Sequence, residues 1–429
     1  MRRSEFVTAK EAVSHISSGD HVYIHAVAGA PHHLIDTLCA ESAGLKDVSI
    51  YHLHTEGSAP YVEPQYEGIF RIHSFFVGPN VRKATQEGRA DYIPVFLSEI
   101  PDLIKSRAVP INVALITVSP PDKNGFVSLG TSVDATLAAV QTATLVIAQV
   151  NKFMPRTFGD STLHIRDINF LVECDQPLIE SVPEPPNAEE SRIGQYISDL
   201  VPDGATLQMG IGSIPNAVLQ KLSGHRHLGV HTEMFSDGLL PLLESGVVDN
   251  SRKKLLKGTT VATFVMGSQK LYDFVNDNPS IQMKTVDYVN NTRNISKNPA
   301  VIGINSAIEI DITGQVCADS IGTRIYSGVG GQIDFMRGAA MSEGGKPIIA
   351  ISSRTAKGLP KIVPTLKVGA GVVSTRANQH YIVTEYGVAN LYGMSLKERA
   401  KALIELAHPD DREMLEKAAF ERWNGHFEE

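Results

Sequence analysis

The stretch GATLQMGIGSIP (Gly204–Pro215), followed by HLGVHTEMFSDG (His227–Gly238), decides the fold. The apolar run TLQMGI stops in small residues, and a helical pattern, IPNAVLQKLSG, takes over with proline in its first turn, where a missing N–H costs nothing. This spacing predicts a strand, a tight glycine turn and a helix. Such a turn points backbone N–H groups outward at a helix N-terminus, which suits a phosphate or an oxyanion. Glu233 follows eighteen residues after Pro215, at the end of the next apolar run. Its carboxylate should therefore sit beside whatever those donors hold. The pairing points to covalent chemistry on an acyl group rather than to nucleotide binding.

Working outward, strand-like runs alternate with helical ones along the whole chain. HVYIHAV, VSIYHL, FRIHSFFVG, INVALITV and TLVIAQV precede TLQMGI, TVATFVMG, AVIGINSAIEIDI, PIIAIS and HYIVTEYG. Between them lie HLIDTLCAE, RKATQEG and IPNAVLQKLSG, with helical apolar spacing. The alternation predicts an α/β fold with largely parallel sheets. ECDQPLIESVPEPPNAEESRIG is rich in Pro and Glu and reads as a linker near residues 178–190. It separates an N-terminal α/β domain (1–182) from a C-terminal one (190–429). The ending SLKERAKALIELAHPDDREMLEKAAFERW reads as amphipathic helix broken at Pro409 and packed on the second domain.

The two halves look alike. GDHVYIHAVAGAPHHLIDTL, from Gly19, matches GATLQMGIGSIPNAVLQKL in outline, and each is followed by His-Thr-Glu: His54-Thr55-Glu56 and His231-Thr232-Glu233. Farther on, VALITVSPPDKNGFVSLG (from Val113) is paralleled with IEIDITGQVCADSIG (from Ile308). We expect a duplicated α/β domain; the alternative is that any two βα units look similar at this level.

Bulk properties exclude several classes. At 429 residues the chain exceeds one comfortable core, and 42% apolar with 20% charged residues is ordinary globular composition. A net charge of −8, spread along the chain, argues against nucleic acid. Three scattered cysteines, Cys39, Cys174 and Cys317, have no CxxC spacing, so neither a zinc site nor a disulfide framework is implied. MRRSEFVTAKEAVSHI lacks a signal-peptide core and no run reaches about 18 apolar residues, so a cytoplasmic protein without a membrane span is expected.

The competing motifs are weak. Gly210-Ile211-Gly212 lacks the third glycine of a dinucleotide fingerprint, with Asn216 where a small residue would pack. The histidines show no HExxH spacing, so no metal is expected, and no GxSxG elbow supports a serine nucleophile. A second glycine cluster, SGVGGQIDF (Ser327–Phe335), lets backbone approach a ligand closely, and the following DFMRGAAMSEGGKP reads as a ligand-facing loop. Three strand-end carboxylates compete for the nucleophile: Glu56, Glu233 and Glu385 in YIVTEYGVANLYG. Glu233 alone has both a donor loop nearby and a second strand-end carboxylate in its own half.

In order, GIGSIPNAV, LGVHTEMFSDG, SGVGGQIDF and IVTEYGVANLYG resemble the acetyl-CoA hydrolase/transferase family of class I CoA-transferases, over nearly the whole chain. Its 4-hydroxybutyrate and butyryl-CoA:acetate CoA-transferases are the most similar subgroup. The resemblance implies two tandem, similar α/β domains with mainly parallel sheets, the NagB/RpiA-like CoA-transferase fold. It implies Glu233 as nucleophile, and Gly210, Ile211, Gly212, Ser213 and Ile214 as contacts for CoA and the developing oxyanion. Gly331 would offer an N–H to the same oxygen, Ile308 and Lys357 would contact CoA, and Glu385 would be a second active-site glutamate. His54-Thr55-Glu56 departs from the catalytic string, with GSAP in place of MFSDG, and carries no implied chemistry.

The implied reaction moves CoA between a short acyl-CoA and acetate through a glutamyl-CoA thioester, with ping-pong kinetics and no bound cofactor; CoA is a substrate. A carboxylate nucleophile suits it, because it passes through a reactive acyl–glutamyl anhydride, whereas serine or cysteine would form a more ordinary ester or thioester. Acyl-CoA hydrolysis on the same fold is the nearest competitor, and a non-catalytic CoA-ester sensor is the alternative of another class. Similar proteins are usually homodimers.

Overall fold

The computed structural model describes residues 4–182, 184–210 and 212–427. Among these, the first half builds eight parallel strands. They are β1 (Glu5–Phe6), β2 (His21–Ile24), β3 (Val48–His52), β4 (Phe70–Ser74), β5 (Ala90–Tyr92), β6 (Val113–Val118), β7 (Leu145–Val150) and β8 (Phe170–Glu173). Their spatial order is β1-β8-β7-β6-β2-β3-β4-β5. The second half builds β9 (Thr206–Met209), β10 (Gly229–Val230), β11 (Val301–Ser306), β12 (Lys346–Ala350), β13 (Tyr381–Thr384) and β14 (Gly387–Asn390). Their order is β10-β9-β11-β12-β13-β14, parallel except for the antiparallel edge strand β14.

The helices that matter are α1 (His32–Ala40), α2 (Thr136–Thr142), α3 (Ala188–Leu200), α4 (Ser213–Lys221), α5 (Val286–Val289), α6 (Gln332–Met341), α7 (Leu396–Leu406) and α8 (Pro409–Arg422). Between β8 and α3 the described residues form neither helix nor strand, and α3 then starts at a capping box in which Asn187 and Glu190 satisfy each other's backbone N–H.

The duplication is visible in topology. Order β7-β6-β2-β3 in the first sheet corresponds to β12-β11-β9-β10 in the second, with α1 and α4 joining matching strands. One pairing needs correction. The counterpart of the Val113 strand is β11, from Val301, and not the Ile308 segment. AVIGINSAIEIDI is two strands, because Glu309–Asp311 leaves the sheet to pair with Val316–Cys317 and Ile362–Val363. A continuous apolar run does not reveal where a chain turns.

The central strands are apolar on both faces, as covered parallel strands must be. On β6, Ala114, Ile116 and Val118 face a core shared with the second sheet, while Val113 and Leu115 face an outer cluster holding Leu34 and Ile35 of α1. The same core continues through Leu207, Met209, Ile302, Ile304 and Ile348, with Ala138 and Ala139 of α2, Ile193 and Ile197 of α3 and Val218 of α4 packed into it, so helices from both halves carry one apolar core between the two sheets. Helices α7 and α8 cover the far face of the second sheet through Leu403, Ile404 and Leu415, with the break at Pro409. No helix among the described residues is long and apolar enough to cross a membrane.

Candidate active site

A cavity of about 160 Å³ opens at the C-terminal ends of β9 and β11, lined by Gln208 to Gly210, Asn305, Ser306, Glu233 and the Ser327–Gln332 loop, with Phe76 from the first half. It lies where the chain order reverses between neighbouring strands, the position at which open α/β sheets hold their ligands.

Glu233 is delivered there by its neighbours. Thr232 exchanges hydrogen bonds with the end of β9, accepting from Met209 N at 3.2 Å and donating to Met209 O at 3.3 Å. His231 is buried, which pushes its pKa down to about 4, so the ring is neutral; its Nε2–H donates to Val289 O at 2.7 Å. That bond fixes the end of α5, and the next residue, Asn290, donates Nδ2–H to Glu233 Oε2 at 2.8 Å. The Glu233 carbonyl is held by Thr263 and Phe264 N–H groups at 3.0 and 3.2 Å. Backbone and side chain are thus both located before any ligand arrives.

The carboxyl keeps a partial opening to the cavity yet is otherwise enclosed. Burial raises its pKa to about 7; the nearby Asp334 charge adds to the rise and the Asn290 bond opposes it. Gly331 packs directly on it. A Cβ there would overlap both Glu233 Oε2 and Asn290 Nδ2, so only glycine fits. The preceding Gly330 has φ +59°, the left-handed conformation that turns the loop into α6.

The first half braces this loop from behind. Leu97 N–H donates to Gly330 O at 3.0 Å, Val77 N–H to Ser327 O at 3.1 Å, and Val329 N–H to the Tyr92 hydroxyl oxygen at 2.9 Å. Phe76 lies against Gly328, where a Cβ would come within 2.8 Å of its ring.

The structure brings together Glu233, Gly210 and Gly331 in one cavity, sets Gly212 in an adjoining one with Gly210 and Met234, and places the other expected site residues that it describes outside both. Ile211 lies outside the described residues. Gly212, with φ +125°, caps α4, and Ser213 donates its hydroxyl to Glu190. Gly210 N–H is spent on Ile304 O at 2.9 Å, so it is not one of the free donors expected of the turn. Ile214 packs at the edge of the shared core. Ile308 follows β11 and is partly exposed, and Lys357 is exposed on the turn between Arg354 and Pro360.

Glu385 is buried at the end of β13 and accepts from Ser353 N–H at 2.9 Å and from the Ser353 hydroxyl. It does not line the Glu233 cavity. Its electrostatic partner is Lys361, which burial pushes to a lower pKa while Glu385 and Glu190 pull it back up. Glu385 therefore flanks the glycine turn, on the Glu190–Ser213 side.

Sequence reading missed Asn290, Ser98 and Asp334, and it misjudged DFMRGAAM, which is helix α6 and not a loop. Gly338 within it, Gly331 at its N-cap and a buried Asp334 disguise a helix whose buried stripe includes Ile333, Phe335, Met336 and Ala339. Comparing the halves offers a signal: GTSVDATLAA, from Gly130, lines up with GGQIDFMRGAA, from Gly330, each leading into the helix before the next central strand.

Residues 3–183 match the acetyl-CoA hydrolase/transferase N-terminal domain and residues 267–419 the C-terminal domain. A succinyl-CoA:acetate/propanoyl-CoA:succinate CoA transferase of Fasciola hepatica is 54% identical, covering 96% of this chain and 87% of its own. A 4-hydroxybutyrate coenzyme A transferase of Clostridium kluyveri is 47% identical over 96% of both chains. The crystal structure of RipA from Yersinia pestis superposes with a TM-score of 0.93 at 37% identity, covering 98% of each chain. The chain belongs to the acetyl-CoA hydrolase/transferase family of CoA-transferase enzymes.

Proposed function

We propose that the enzyme exchanges CoA between a short-chain acyl-CoA, 4-hydroxybutyryl-CoA or butyryl-CoA, and acetate, through a glutamyl-CoA thioester on Glu233. The observation that carries this reading is the enclosed Glu233 carboxyl, tethered through Oε2 by Asn290 and pressed against Gly331, at the sheet's switch point.

The tether leaves Oε1 to attack the acyl-CoA carbonyl. A C–O bond forms, the C–S bond breaks, and CoA leaves as thiolate, giving an acyl–glutamyl anhydride. The thiolate attacks the glutamyl carbonyl and expels the first acid as carboxylate, leaving glutamyl-CoA. Acetate attacks that carbonyl in turn, and the released thiolate takes the acetyl group, restoring the Glu233 carboxylate. No net proton is consumed. Each tetrahedral intermediate bears an oxyanion, and one well-placed N–H donor, the role assigned to Gly331, contributes roughly 2.7–4 kcal/mol. The glycine turn through Gly210, Gly212 and Ser213, with Ile308, Lys357 and Glu385 around it, belongs to the CoA side of this reading. A cytoplasmic homodimer belongs to it as well, checked by molar mass in light scattering and by fractionation.

The test is incubation with acyl-CoA followed by borohydride or hydroxylamine and peptide mass mapping. One modified peptide, containing Glu233, is expected. Modification of Glu56 or Glu385, or of nothing, overturns the assignment. CoA release without added carboxylate would favour the hydrolase reading, and a panel of carboxylic acids with acetyl-CoA as donor identifies the acyl partner.

A further inference from the structure

Behind Glu233 the Asn290 amide has a second carboxylate. Its Nδ2 lies 3.4 Å from Asp334 Oδ2 and 2.8 Å from Glu233 Oε2, so one N–H serves each. Asn290 is fully buried and its Oδ1 finds no partner among the described residues, which leaves the two carboxylates as its only fixed neighbours of that kind. Asp334 is buried too, and it is held from the first half by Ser98, whose backbone N–H and hydroxyl donate at 3.3 and 2.9 Å.

The internal repeat shows what such an aspartate does when it is only structural. Asp134 occupies the matching position after Gly130, whose φ of +63° matches the +59° of Gly330. Asp134 is satisfied inside its own half, by the Tyr23 hydroxyl at 3.2 Å, Thr136 N–H at 2.8 Å, the Thr136 hydroxyl at 2.9 Å and Ser132. Asp334 has traded that local ring for Asn290 and Ser98.

Resting on the reading of Glu233 as nucleophile, we propose that Asp334 is a positioning residue that holds the Asn290 amide against Glu233 and, by its charge, makes the ionised Glu233 less stable than the acylated one. In the anhydride and the thioester Glu233 is neutral, so the repulsion between the two carboxylates disappears as the bond forms. The repulsion raises the ionised ground state and is released in the step that forms the bond.

The charged groups that face the pair are few. Glu99 and Asp102 come from the first half, Asp287, paired with Lys105 at 3.3 Å, precedes Asn290, and Arg337 is on Asp334's own helix; these line a cavity of about 470 Å³ behind the site. Burial raises Asp334 to about 6, with Glu99 adding to the rise and the Ser98 and Asn290 bonds opposing it. The two carboxylates therefore titrate as a pair.

Asp334→Asn keeps the shape and removes the charge. The experiment is an infrared titration of the protonated carboxylic C=O band in ligand-free protein from pH 4 to 9, with Glu233→Gln used to assign the Glu233 component. In Asp334→Asn that component should titrate about one pH unit lower, and single-turnover glutamyl-CoA formation should slow about tenfold, the equivalent of one unit. KM for acyl-CoA should change less than about twofold, because no substrate contact is lost. Ser98→Ala, which removes the hydroxyl donor that stabilises the Asp334 charge, should move the titration the same way by less. It also serves if Asp334→Asn does not fold. Asp134→Asn should lower stability and leave the Glu233 titration in place. A Glu233 band unmoved in both Asp334→Asn and Ser98→Ala overturns the proposal. Because the titration needs no turnover, an enzyme that forms no glutamyl-CoA would sink the proposed function while this result still stood or fell alone.

Discussion

The His-Thr-Glu strings end matching strands in two matching sheets, yet they meet different surroundings. In the first half, Asn80 clamps Thr55 through its carbonyl and hydroxyl at 2.9 and 3.0 Å. His54 packs against Phe76 and Phe264, and Glu56 keeps about a quarter of its side chain exposed, 3.8 Å from His54 Nε2. In the second half, Glu233 finds an amide donor from Asn290 and a glycine face from Gly331. At the position matching Gly331 the first half carries Thr131, buried, with its hydroxyl toward Met154 and its carbonyl accepting from Val265 N–H at 2.7 Å. Strand order delivers a carboxylate to the sheet edge in both halves. What differs is the loop that arrives opposite it, and each half's loop docks on the other half.

The sharpest break of that comparison is to neutralise each glutamate in turn. Glu233→Gln should lower kcat by at least about 10³-fold, since the proposed acyl-enzyme needs the Glu233 carboxylate. Glu56→Gln should leave kcat within about threefold, because its partly exposed carboxyl touches none of the loop atoms that face Glu233. Burst kinetics with acyl-CoA measure both. Equal losses would mean that the halves share the chemistry.

Next in size is the residue opposite. Gly331→Ala places a methyl group into Glu233 and Asn290 and should cost about 10²–10³ in kcat, while the backbone, at φ −98°, tolerates alanine without strain. The mirrored change, Thr131→Gly, should cost more stability than the roughly 0.5–1 kcal/mol of backbone entropy, because a buried side chain is lost as well, and leave turnover intact. Steady-state kinetics with thermal unfolding of the two variants separates them. A Gly331→Ala enzyme with normal turnover would remove close approach from the argument.

The contrast also explains what was legible. Periodicity and glycine turns reveal the duplicated α/β halves, the helix break at Pro409 and Glu233 itself, because these depend on residues adjacent in sequence. Asn290 lies 57 positions beyond Glu233 and reaches it only because His231 ties Val289 down. Ser98 comes from the other half. Such partners are set by tertiary docking and leave no local pattern. Helix α6 was hidden for another reason: its glycines serve close packing, Gly338 against Ile295 and Gly331 against Glu233, and so mimic a loop composition. Glu385 has a similar strand-end string, yet the structure seats it outside the Glu233 cavity, on Ser353, a placement that no local pattern announces.

The smallest effect is thermodynamic and separates the two glutamates without any substrate. Burial lifts Glu233 from the ordinary carboxylate range near 4.5 to about 7, so the folded protein binds its proton more tightly than the unfolded chain does. A raised carboxylate carries no penalty below about pH 4.5; the cost of ionising it in the fold grows as pH climbs toward 7 and is fully present above. Glu233→Gln removes that cost and should stabilise the protein at pH 8 by up to about 3 kcal/mol, less whatever cavity water screens, with almost no gain at pH 4.5. Glu56 is also raised by burial, but its partial exposure lets water screen the charge, so Glu56→Gln should give a clearly smaller pH-dependent gain. Denaturant midpoints for both variants across pH 4.5–8 test this. A Glu233→Gln gain that does not grow with pH would mean that the carboxyl is already at ease in its cleft, and the difference between the two halves would then be one of loops alone, without the electrostatic tension that we assign to the second.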